Sequence, residues 1–173
     1  LRPLNFPARS PGHGVCILDL GRLQVGVISL MGTALMGNLS LSSAFDTIDQ
    51  VIKGEKLPKI TVVDFHAEST GEKRALGFYL DGKVSAIFGT HTHVATADET
   101  ILPAGTGYLT DVGMTGPVLS VLGIKPELVI EKYRTQMPVR FSVPEADCKM
   151  DTVLFEIDEK TGRAESIERI SVW

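Results

Sequence analysis

The run Ile60-Thr61-Val62-Val63-Asp64-Phe65 is apolar almost throughout. A strand with one wet face would alternate, so this one reads as covered on both faces, as in a parallel sheet. Ser69-Thr70-Gly71-Glu72 follows with the pattern of a capping box and opens a helix to Leu80, which Asp81-Gly82 ends. Val84-Ser85-Ala86-Ile87-Phe88 is a second buried strand. Strand, helix, strand in this order is a βαβ unit with parallel strands. Each strand runs straight into histidine: His66 after the first, His91 and His93 after the second. In open α/β sheets ligands gather outside the carboxyl ends of the strands. Three of the four histidines of the chain are thereby expected at one sheet edge.

The rest of the chain is read around this unit. Leu1 to Gly14 holds Pro3, Pro7 and Pro11 and is expected to be an extended loop. Val15–Leu20 and Leu23–Leu30 read as strands joined by a two-residue turn, Gly21-Arg22. Met31 to Asn38 is a loop. Ser42 or Ser43 can cap a helix over Ala44–Lys53, with Phe45, Ile48, Val51 and Ile52 on one face. Lys56-Leu57-Pro58-Lys59 leads into the first buried strand. Val94–Glu99 reads as a short strand or turn, Tyr108–Thr110 as a short strand, and Asp111–Pro117 as a Gly-rich loop. Pro126 suits the first turn of a helix running to about Thr135. Val139–Val143, Thr152–Asp158 and Ala164–Val172 read as three antiparallel strands. The expected class is α/β with mixed sheets, in a single domain over residues 1–173.

Charge and composition narrow the function. Seventeen basic and 21 acidic residues leave a net charge of −4, which gives nucleic acid no bulk electrostatic attraction. No apolar run approaches the ~18 residues of a membrane span. Only Cys16 and Cys148 could pair, so a reducing cytoplasm is the expected location.

In an extended backbone, residues i and i+2 point the same way. His91 and His93 are therefore expected to face one point, within reach of His66. Three imidazoles there would make a site for Zn, Mn, Fe or Co; the alternative is that each is simply satisfied by hydrogen bonds. Three histidines suit a single zinc, whereas a two-metal site needs bridging carboxylates. Asp64, Glu68, Asp98 and Asp111 are the nearest acids. Glu68 is a candidate to orient His66, or else a solvated carboxylate. Asp111, beside the Gly-rich loop, offers backbone amides to a phosphate, or else caps a turn.

Val63-Asp64-Phe65-His66-Ala67-Glu68, Ala75–Gly82, Gly89-Thr90-His91-Thr92-His93-Val94 and Thr110–Pro117 together resemble the YmdB-like family of bacterial calcineurin-type metallophosphoesterases. Arg2–Pro7 and Met36-Gly37-Asn38 are similar to it as well. The resemblance implies layered α-β-β-α architecture and two metal ions, iron or manganese, with zinc or magnesium as further candidates. It implies hydrolysis of small phosphodiesters such as 2′,3′- or 3′,5′-cyclic nucleotides by a metal-activated hydroxide. Carried over, His66 and His91 would bind one metal and His93 the other. A cytoplasmic homo-oligomer is implied too.

The family's Gly-Asp, Gly-Glu-Asn and Gly-Asn-His segments have no counterpart here; Gly37-Asn38 is followed by Leu39. The expectation is therefore a domain lacking its N-terminal portion, with the general-acid histidine in that portion and no activity in the 173 residues alone. Two other readings compete. One is a non-catalytic regulatory or scaffold fragment that keeps three histidines. The other is an amidohydrolase-type hydrolase, disfavoured because its HxH lies early in a (β/α)₈ barrel of ~250 residues.

Overall fold

A computed structural model describes residues 1–37, 40–54 and 57–173. Asn38 of the Met36-Gly37-Asn38 resemblance, Leu39 after it, and Lys56 ahead of the first buried strand fall outside the described residues.

The chain opens as a loop held down by buried Asn5. Its side chain donates to the Met31 and Ser42 carbonyls and accepts the Met31 N–H. β1 (Val15–Asp19) and β2 (Gln24–Met31) form the expected hairpin, closed by the Leu20 N–H on the Leu23 carbonyl. α1 (Ala44–Gly54) follows, with the Ser43 hydroxyl accepting the Asp46 N–H. β3 (Ile60–His66), α2 (Thr70–Leu80) and β4 (Ala86–Thr90) are the βαβ unit, and β3 and β4 are parallel. β5 (Thr100–Ile101) and β6 (Gly107–Leu109) complete a six-stranded mixed sheet of order β1-β2-β3-β4-β6-β5.

β7 (Thr115–Pro117), α3 (Pro126–Thr135), β8 (Cys148–Ile157) and β9 (Ala164–Val172) follow, and β7-β8-β9 is a second, antiparallel sheet. Its third strand corrects the sequence expectation. Val139–Val143 is irregular and finds no ladder partner among the described residues; its Phe141 ring lies under the Lys132 ammonium and Val143 is exposed. The strand comes instead from the expected Gly-rich loop, where Thr115 pairs with Met150 and Pro117 with Cys148. Proline is tolerated there because β7 is an edge.

β6 shows how the layers stack. Tyr108 packs against α2, so closely that a Cβ on Gly77 would sit 2.5 Å from its ring. The next residue back, Gly107, faces Phe155 and Ala164 of the second sheet. Neighbouring strand residues point to opposite faces, so the first sheet carries helix on one side and the second sheet on the other. Ile28, Leu30, Val63, Phe65 and Ile87 pack with Ile48 of α1 and Leu76 and Leu80 of α2, all essentially inaccessible. Each such side chain contributes about 1.5–3 kcal/mol on burial. Among the described residues no helix is long and apolar enough to cross a membrane, and both cysteines are free.

Candidate active site

The parallel register puts His66 opposite Thr90, so the ends of β3 and β4 lie side by side. β6 ends next to them, and its continuation passes close to β4. A Cβ on Gly89 would collide with the Thr110 carbonyl oxygen. The Val112 N–H donates to the Gly89 carbonyl at 2.9 Å. Two loops therefore leave the sheet from one seam, His91–His93 on one side and Asp111–Pro117 on the other.

His66 and His91 meet edge to face, ring centroids 4.8 Å apart and planes at 85°. His91 Nδ1 lies 3.1 Å from His66 Nε2. The outer nitrogens fix the tautomers. The Thr90 hydroxyl donates its one proton to Asp64 Oδ1 at 3.0 Å, so its oxygen accepts from His66 Nδ1–H at 3.1 Å. His66 Nε2 then carries a lone pair. On the other ring, Glu68 Oε2 stands 3.1 Å from His91 Nε2, and a carboxylate only accepts. A neutral His91 is thereby protonated on Nε2, leaving a lone pair on Nδ1. Two lone pairs face each other at 3.1 Å, which only a proton or another cation between them reconciles. Burial, and then the neighbouring His91, lower the pKa of His66 and favour its neutral form. Burial likewise raises the Asp64 carboxyl, against the Thr90 hydrogen bond.

His93 differs from the extended geometry expected of it. β4 ends at Thr90, and both His91 (φ +109°) and His93 (φ +63°) take left-handed backbone. The simple i, i+2 alternation is lost. Such conformations cost a non-glycine residue about 1–3 kcal/mol and cluster at functional sites. His93 Nδ1–H donates to the Leu122 carbonyl at 3.1 Å, leaving the lone pair on Nε2. All three histidines line one cavity of about 670 Å³, together with Met114, Leu122, Ile124 and Val143. Among the described residues no three His, Cys, Asp or Glu side chains converge as a metal-holding group.

Two other expected residues sit elsewhere than anticipated. Glu68 meets His91 rather than His66. Asp111 is fully buried and its N–H is taken by the Thr96 hydroxyl at 2.9 Å, so that amide is closed to a phosphate. Its carboxylate is a hub. Oδ2 accepts from Lys73 Nζ at 2.7 Å and from the Thr92 N–H at 3.0 Å; Oδ1 accepts the Gly113 N–H at 3.0 Å. One side chain thus ties α2 to both loops. Burial pushes its pKa up, but Lys73 and the amides of Gly113 and Thr92 outweigh it, and the carboxyl stays below its ordinary value.

The sequence reading missed Lys73, Thr90 and the use of Glu72. Lys73 had a signal: it shares the helix stripe of Leu76, Gly77 and Leu80 and is itself buried. The capping box is half made. The Ser69 hydroxyl accepts the Glu72 N–H, but the Glu72 carboxylate turns to the Thr33 and Ala34 amides at 2.9 and 3.2 Å. It anchors the loop that leaves β2 beside His66.

The family described as YmdB-like protein matches residues 1–170. The chain belongs to this family. It is 44% identical over 173 residues to the 2′,3′-cyclic-nucleotide 2′-phosphodiesterase of Bacillus subtilis (strain 168), a match covering 99% of this chain and 65% of that relative. The chain thus spans less than two thirds of the curated relative's length. Among solved crystal structures, a hypothetical protein from Thermus thermophilus superposes with a TM-score of 0.93 at 37% identity, covering 99% of this chain and 66% of that one. A novel phosphatase from Mycoplasma pneumoniae superposes at 0.92 with 34% identity, covering 99% and 63%.

A metal ion fits the donor set in part. Two imidazole nitrogens on one ion, each at about 2.1 Å, lie roughly 3.0–3.4 Å apart, as His66 Nε2 and His91 Nδ1 do. Both outer nitrogens bear the acceptors that metal-bound imidazoles usually carry.

Proposed function

We propose that these residues form a single metallophosphoesterase domain of an enzyme that hydrolyses small phosphodiesters, with 2′,3′-cyclic nucleotides as the leading substrate and 3′,5′-cyclic nucleotides as a second candidate. The observation that carries this reading is the pair of lone-pair nitrogens, His66 Nε2 and His91 Nδ1, facing each other at 3.1 Å. The name of the Bacillus subtilis relative supports the substrate class.

His66 and His91 would hold one metal ion and His93, through Nε2, a second; iron or manganese is preferred, with zinc or magnesium as further candidates. What a divalent cation supplies here is charge neutralisation on the phosphate and activation of water. Thr90, backed by Asp64, keeps His66 Nδ1 protonated. Glu68 does the same for His91 Nε2. Asp111 holds the Thr92 amide between the two HxH imidazoles. In the reaction a water oxygen bonds to phosphorus and the P–O2′ bond breaks, which leaves a 2′-hydroxyl and a 3′-phosphomonoester. None of His66, His91 and His93 is assigned as the general acid, because the metal ions would occupy them. Cytoplasmic location and homo-oligomeric assembly belong to the same proposal.

The test uses the full-length protein reconstituted with manganese, desalted, and assayed with 2′,3′-cyclic AMP. Hydrolysis and about two equivalents of metal are expected. His91→Ala should lose both turnover and at least one equivalent. Unchanged turnover in His91→Ala, or in the presence of a chelator, would sink the reading.

A further inference from the structure

The cavity beside the histidines has two unlike kinds of lining. The imidazoles of His66, His91 and His93 are one; apolar side chains are the other, Leu122 and Ile124 of a tight turn among them. The Val121 N–H donates to the Ile124 carbonyl at 2.8 Å, and the Ile124 N–H donates back at 3.0 Å. Between them Leu122 has φ +53° and Gly123 φ +93°, the φ pair of a type I′ turn. That turn favours Asn, Asp or Gly at its first central position, because their side chains tolerate or relieve left-handed backbone. Leucine does neither. Nor is it there to fill the core, since Leu122 is 49% exposed and lines the cavity. A strained residue that gives nothing to the core points to a use for its side chain.

The turn is fixed relative to the site by two contacts. The Leu122 carbonyl accepts His93 Nδ1–H at 3.1 Å. Met114 packs beneath, its sulfur 3.5 Å from where a Cβ on Gly123 would be. The Leu122 backbone is therefore tethered to His93, and its side chain lines the same cavity as the imidazoles.

We infer that the Leu122–Gly123 turn is the recognition element for the nucleoside part of the substrate, with the Leu122 side chain as its contact. This rests on the phosphodiesterase reading above. A nucleotide phosphodiester brings an anionic phosphate and a flat, weakly polar base. The imidazoles, once they hold a cation, suit the first, and the apolar lining suits the second. Free phosphate, or a cyclic phosphate without a nucleoside, would use the imidazole lining alone.

The experiment compares 2′,3′-cyclic AMP with ethylene phosphate, the same five-membered cyclic diester without its nucleoside. In the full-length, manganese-loaded protein, Leu122→Asn should lower the ratio of kcat/KM for the nucleotide to that for ethylene phosphate by about tenfold, the size of one lost apolar contact. Because asparagine suits the turn, the thermal midpoint should rise. A parallel measurement needs no turnover: equilibrium binding of the product 3′-AMP to the manganese-loaded protein should weaken by a similar factor. An unchanged ratio overturns the inference. So does an equal fall for both substrates, which would mean that the turn acts only by holding His93. If the unsubstituted protein binds 3′-AMP but hydrolyses neither diester, the phosphodiesterase reading fails while the binding comparison still decides the role of Leu122. If it binds no 3′-AMP, the inference fails as well.

Discussion

Two side-chain pairs meet at the carboxyl edge of the first sheet, and they are built on opposite principles. Lys73 and Asp111 are opposite charges, 2.7 Å apart and sealed from water, with both Asp111 oxygens occupied. His66 and His91 are like groups, partly open to a cavity, with their inner lone pairs in conflict. The first pair is complete as it stands and sets the spacing of α2 and two loops. The second is satisfied on its outer nitrogens only. The contrast separates what holds the site together from what the site is for.

Breaking the complete pair should have the largest effect. Lys73→Met keeps most of the side-chain volume but strands a buried carboxylate, at a cost of about 3–5 kcal/mol in urea unfolding. The same pair has a pH signature. The folded pKa of Asp111 lies below its ordinary value, so its contribution is fully present above about pH 4 and is lost as pH falls through the folded pKa. Unfolding free energy should fall across that acidic window, and less steeply in Lys73→Met. Equal slopes in the two proteins would mean that the pair carries no linkage.

The incomplete pair should respond in metal binding rather than in stability. Thr90→Val removes the hydroxyl between Asp64 and His66, and manganese should bind about 10–100-fold more weakly by titration calorimetry. Thr90→Ser should restore most of it. Nitrogen-15 spectra of the imidazoles should show His66 protonated on Nδ1 in the parent protein and mixed in Thr90→Val. A parent protein protonated on Nε2 would contradict the relay.

The smallest effect has the opposite sign. His91→Gly relieves a φ of +109° and should add about 1 kcal/mol of unfolding free energy while metal uptake falls. A loss of stability would show that the His91 ring does more structural work than its half-exposed position suggests.

These contrasts also explain what can be read in advance. β3, α2 and β4 are legible because long apolar runs and a capping pattern act locally. β7 is not, because two of the three residues in Thr115-Gly116-Pro117 are the strand-averse Gly and Pro, and the strand exists by pairing with β8. Val139–Val143 has the propensity and lacks the partner. His66, His91 and His93 are expected at one edge, and the structure brings them to one cavity. The left-handed backbone of His91 and His93 leaves no trace in composition, so nothing in the sequence argues against an extended geometry for them. Asp111 looks like a loop residue because its partner, Lys73, lies 38 positions away on a helix. A lysine on an apolar stripe is the one clue to that contact.

The bare backbone at Gly89 has a consequence for how such a pocket can diversify. With the Thr110 carbonyl filling the space of a side chain, the two loops share a mooring that point substitution cannot widen. Changes in what the pocket admits must then come from residues farther along the loops, where Leu122 stands. The seam stays constant, and variety is confined to the rim.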